Sequence, residues 1–146
     1  MSQYFDLGDK TLWNPSNGAS RMFQRQVALF EGELGIPSGF GPMENDECQI
    51  DPAAFGTFVH ALLEGHRRTS HAILLALSEG FIATVVLLAL RAGIQVDWAR
   101  LGNAPDSPLT DVQVSAVTGM SAPAEGDDWS EGLRERAREL GRFMPC

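Results

Sequence analysis

The sequence has little of what marks a secreted protein or an enzyme with a familiar reactive centre. Its 146 residues include only two cysteines, Cys48 and Cys146, too few for a disulfide framework. The opening MSQYFDLGDK lacks the basic and apolar regions of a signal peptide, so a reducing cytoplasm is the expected setting. Neither thiol reads as a nucleophile. Cys48 follows Glu47, whose carboxylate disfavours a thiolate, and Cys146 occupies the last position. The chain also has none of the patterns GxSxG, HExxH, CxxC, GK[ST] or GxGxxG, each of which would announce a chemistry.

Positive charge is scarce as well. Eleven basic against 19 acidic residues leave a net charge of −8, which repels phosphate backbones and anionic headgroups. Nucleic acid and membrane surfaces are therefore not expected partners, whereas a basic protein is compatible with the charge. What is present suits one ordinary core: 44% hydrophobic and 21% charged residues, without repeats or low-complexity tracts. A single domain over residues 1–146 is expected.

Along the chain, short apolar stretches flank Gly8, Asp9 and Lys10, predicting a β-hairpin with strands near 3–7 and 11–13. Phe23, Val27, Phe30 and Leu34 then recur at helical spacing before Gly35 and Pro37, predicting a first helix over 18–34. Residues 35–50 are rich in Gly, Pro, Ser and Asn and read as a loop ending in a short extended piece. Asp51 followed by Pro52 is a strong helix start, and Phe55, Phe58, Val59, Leu62 and Leu63 give a second helix over 52–67 one continuous apolar stripe. His66 projects onto that stripe; His60 and Glu64 lie off it.

A break near 67–70 leads to a third helix over 70–92, in which Ser78, Glu79 and Thr84 are the only polar side chains between Ala72 and Leu90. Its length matches a bilayer span, but a carboxylate at the centre of one costs on the order of 2.5 kcal/mol or more. The segment therefore reads as a core helix surrounded on all sides. IQVDWARLGN begins as a candidate short strand, VQVSAV at 112–117 alternates like a half-buried strand, and Trp129, Leu133, Ala137 and Leu140 mark a last helix over 128–141. The expected fold is α+β and mainly helical: about four helices around the buried third, with a small N-terminal sheet.

YFDLGD, LWNPSN and GPMENDECQID resemble the corresponding segments of a family of small actinobacterial proteins classed only as a domain of unknown function. The resemblance reaches to Trp98 and implies no activity, cofactor or site residue.

Several residues are candidates for chemistry on their own account. A buried Glu79 must either pair or become neutral, and either state serves a catalyst, a ligand site or a purely structural contact. His66 and His71 are its candidate companions, and a pocket lined by Trp13, Phe58, His66 and Glu79 would take a small molecule. His60 and Glu64, at i and i+4, are weak candidates for metal ligands, although the spacing matches no diagnostic motif and no cofactor is expected. Glu44, Asp46, Glu47 and Asp51 do not follow the spacing of a calcium loop. Glu44, Asp46 and Glu47, with Trp13, Asn14 and Arg21, instead form a candidate binding surface. The leading expectation is a non-catalytic protein-binding or regulatory protein, for example one that neutralises a toxin; the alternative is a small-molecule enzyme or binder near Trp13, His66 and Glu79. An exposed apolar face on the third or last helix would also allow a homodimer.

Overall fold

Two tight turns start the sheet. Gly8, at φ 61°, joins strands β1 (Tyr4–Leu7) and β2 (Lys10–Trp13), the expected hairpin. The second turn corrects the reading of residues 35–50 as a loop. Asn45 and Asp46, at φ 52° and 66°, make a two-residue turn between β3 (Phe40–Glu44) and β4 (Glu47–Ile50). Positive φ at both central residues matches the right-handed twist of a hairpin, and Asn and Asp tolerate it. The computed structural model describes residues 2–101 and 129–146; the expected strand at 112–117 lies outside them.

The strand order is β2-β1-β4-β3, with β1 and β4 parallel at the centre and an antiparallel hairpin on either side. Helix α1 (Asn17–Leu34) lies between the hairpins in sequence, capped by Ser16 and ended by a left-handed Gly35. Helix α2 (Pro52–Arg68) starts as the sequence indicates, with the Asp51 carboxylate accepting from the amides of Ala53 and Ala54 at 3.0 and 3.5 Å. After the expected break come α3 (Ala72–Arg91), the short α4 (Trp98–Leu101) and α5 (Trp129–Gly141), which packs along α3. No strand forms at residues 94–97, where α4 follows instead.

Aromatic rings join the layers. Phe5 and Trp13 are opposite one another across the first hairpin and stack with centroids 5.5 Å apart, and both meet Phe23 of α1 edge-on. Phe23 also touches Phe40 and Phe81, while Phe30 stacks on Phe81 at 4.8 Å. Arg91, at the end of α3, donates to the carbonyls of Leu12 and Met144 at 2.8 and 2.7 Å. The Lys10 ammonium in turn donates to the Arg91 carbonyl at 2.5 Å, a cation placed where the helix dipole favours one.

Helix α3 is not surrounded on all sides. Phe81 to Ala89 are buried apart from the half-buried Thr84, but Ile73, Leu74 and Leu77 are exposed, Ile73 and Leu77 at 64% and 73%. Leu74 and Leu77 precede Phe81 by seven and four positions and so lie on its side of the helix. The apolar stripe thus continues toward the N-terminus past the Phe30 ring that covers Phe81.

Gly39 shows how closely β3 and α2 approach. At φ 88°, a Cβ there would stand 2.6 Å from the Phe55 nitrogen and 2.7 Å from the Asp51 oxygen. Both are backbone atoms at the start of a helix and cannot step aside. Gly39→Ala should lower the unfolding free energy by about 3 kcal/mol in urea titration. Gly32→Ala, in the last turn of α1 with nothing within 4 Å among the described residues, should raise it by roughly 0.5 kcal/mol.

Candidate functional site

The sequence candidates fall into separate places. Trp13, expected on the surface, is only 7% exposed because its ring is part of the aromatic core. Asn14 is half-buried; its amide donates to the Pro145 carbonyl at 2.8 Å, and its buried Oδ1 meets no donor among the described residues. Arg21 is exposed on α1, while Glu44, Asp46 and Glu47 cluster at the β3–β4 turn. Asp46 is tied down there, accepting from the Gln3 side chain at 3.2 Å and, through its carbonyl, from the Tyr4 amide at 2.8 Å. The acidic group is real, but Trp13 is not part of its surface.

Glu79 is exposed rather than buried. It sits in the uncovered first half of α3, where no desolvation forces it to pair. Trp13 and His66 belong to different clusters: Trp13 joins the rings around Phe5 and Phe23, whereas His66 lies against Trp129 with the Glu79 carboxylate nearby. Phe58, the fourth expected lining residue, is fully buried in the core.

The weak metal pair is engaged elsewhere. Glu64 accepts from Arg67 at 2.7 Å and pairs with Arg68 at 2.8 Å, and the Arg67 hydrogen bond is the main reason its carboxyl lies below the ordinary value. Both nitrogens of His60 are used. Nε2 accepts from the Asp97 amide at 3.3 Å, which leaves Nδ1 to donate to the Gly56 carbonyl at 2.8 Å, so the ring holds α2 to the segment before α4. His71 caps α3, its Nδ1 accepting from the Leu74 amide at 3.4 Å. Among the described residues, no three His, Cys, Asp or Glu side chains gather as metal ligands do.

The buried thiol of Cys48 donates to the Gly41 carbonyl at 3.3 Å and is pushed up to about 11, mainly by burial, with the Asp6 carboxylate adding to the effect. It is a core side chain, unreactive at neutral pH.

What sequence reasoning missed is a cluster between the end of α2, α4 and α5. The His66 ring is 6.2 Å from Trp129, Trp129 is 5.9 Å from Trp98, and the Arg134 guanidinium lies 4.3 Å over the Trp98 ring. His66 Nδ1 and Arg134 Nε are buried without a hydrogen-bond partner among the described residues. Only the inward direction of His66 was readable, from its place on the α2 stripe. Trp98 and Trp129 are 31 positions apart, and no local pattern links them.

Burial lowers the His66 pKa, and the nearby Glu79 carboxylate partly opposes this. The folded chain therefore favours the uncharged ring, and the unfolded chain binds more protons in acid. This contribution is complete above the ordinary imidazole value of 6.5 and is lost as pH falls through the lower folded value. Thermal melts from pH 7.5 to 5 should show a declining midpoint, less steep in His66→Phe. Glu79→Gln, which removes the opposing charge, should steepen it while leaving stability at pH 7.5 nearly unchanged.

No curated protein and no solved structure matches the chain. The model of a family of unknown function, DUF6086, matches residues 1–146, well beyond the segments that carried the resemblance, and the chain belongs to that family.

Proposed function

We propose that the protein is a non-catalytic binding or regulatory protein that engages another protein through its exposed helical faces. The observation that carries this reading is the placement of its exposed apolar side chains. Ile73, Leu74 and Leu77 are on the first half of α3, and Met22 and Leu29 are on α1. Large apolar side chains grouped on the surface mark interaction sites more often than single scattered ones do. On α3 the exposed residues continue the stripe that forms the core, so a partner laid there would extend a packing pattern already present. The burial of Trp13 and Phe58 in the core, with Glu79 exposed, weakens the small-molecule alternative, which needed them around one pocket.

The acidic hairpin turn, the surface first suggested by the sequence, is the natural control. A photo-crosslinking side chain placed in living cells at Met22, Leu77 or Glu47 tests the three surfaces side by side. The reading expects a discrete adduct with one protein from position 22 or 77 and none from 47. Adducts from position 47 alone would return the binding surface to the acidic turn and its basic partner. Adducts from none of the three would overturn the protein-binding reading.

A further inference from the structure

The outer face of α1 carries two arginines, Arg21 and Arg25, on a molecule of net charge −8. Gly18, Arg21, Met22, Arg25, Gln26 and Leu29 share one open face along the helix. Met22 and Leu29 are 67% and 58% exposed and lie seven positions apart, on one side of the helix. Arg21 and Arg25 flank them one turn apart, and among the described residues neither has an ion-pair or hydrogen-bond partner. The first turn of α1 contains no acidic residue, so the positive end of the helix dipole adds to the two guanidinium charges instead of being offset. Beyond Leu29 the sign reverses at Glu33, while Glu31 turns aside to accept from Ser38.

We propose that this face docks an acidic amphipathic helix of another protein. The apolar stripe of that helix would lie on Met22 and Leu29, and its carboxylates would meet Arg21 and Arg25. Three features select this occupant. The face from Gly18 to Leu29 is about 16 Å long, three helical turns, which fits a second helix packed alongside it. Among the described residues Gly18 has nothing within 4 Å of where a Cβ would stand, so a second backbone can approach that end closely. The change from Arg21 and Arg25 to Glu33 gives the face a polarity and sets the direction of a bound helix whose acidic end precedes a basic one. The proposal rests on the protein-binding reading and adds the chemistry of the partner.

The chain's own net charge of −8 makes the test sharp. Long-range attraction favours a basic peptide, so preference for an acidic one can come only from the local face. Fluorescence anisotropy of the full chain with three labelled 18-residue helical peptides reads this directly. The peptides share one leucine stripe, flanked by glutamate, glutamine or lysine. The glutamate peptide should bind about tenfold more tightly than the glutamine peptide, weaken in 0.5 M salt, and bind more tightly than the lysine peptide. The double variant Arg21→Glu, Arg25→Glu should remove the preference, and Met22→Ser with Leu29→Ser should weaken all three peptides. Both double variants should melt as the wild type does, because the four side chains are exposed.

Equal or tighter binding of the lysine peptide, or no response to the arginine reversals, overturns the proposal. So does sedimentation showing a dimer of the chain alone that those reversals dissociate, which would assign the face to a second copy. Failure here with crosslinks from position 77 leaves the protein-binding reading standing on α3. Failure here with no crosslinks removes both.

Discussion

Phe23 is where the sheet and the helices become one core. Its ring meets Phe5 and Trp13 on the first hairpin, Phe40 on the second and Phe81 on α3, so four elements pack on one side chain of α1. A sheet of four- and five-residue strands has little stability until one face is covered. Aromatic contacts supply that cover with large buried area and defined geometry. The position of α1 then dictates the rest: its inner face is committed to these rings, and Met22, Arg25 and Leu29 are left outside.

The sheet edges are managed as well. On β2, the Leu12 carbonyl is taken by Arg91, and just past the strand the Asn14 amide is taken by the Pro145 carbonyl. On β3, Pro42 removes a donor from the other edge strand. The Arg91 guanidinium reaches both β2 and the segment after α5, so charge-assisted hydrogen bonds join the two ends of the fold through the last turn of α3. These arrangements leave the helical faces, rather than the sheet edges, as the surfaces open to a partner.

Local signals in the sequence were legible because their physics is local. Asp51 with Pro52, Gly35, and the Gly8 turn each act within a few residues, and the elements they bound were readable to within about two positions. The second hairpin is hidden in the sequence because Asn45 and Asp46 read as part of an acidic run. The alternation of buried Cys48 and Ile50 after that two-residue turn was the available clue. Trp13 and Glu79 were misplaced for a different reason. Burial depends on what lies across from a side chain, and neither the Phe5 ring opposite Trp13 nor the open space beside Glu79 is written near them. The cluster of His66, Trp98, Trp129 and Arg134 belongs to the same class, since its members come from three separate helices.

The parallel pairing of β1 with β4 has a consequence for synthesis of the chain. Tyr4 pairs with Glu47, so at about 5–20 residues per second β1 leaves the ribosome several seconds before its central partner. Its hairpin with β2 satisfies one edge during that interval. The other edge remains open until α1 and the second hairpin have followed, so for those seconds β1 presents unpaired backbone groups to any neighbouring strand.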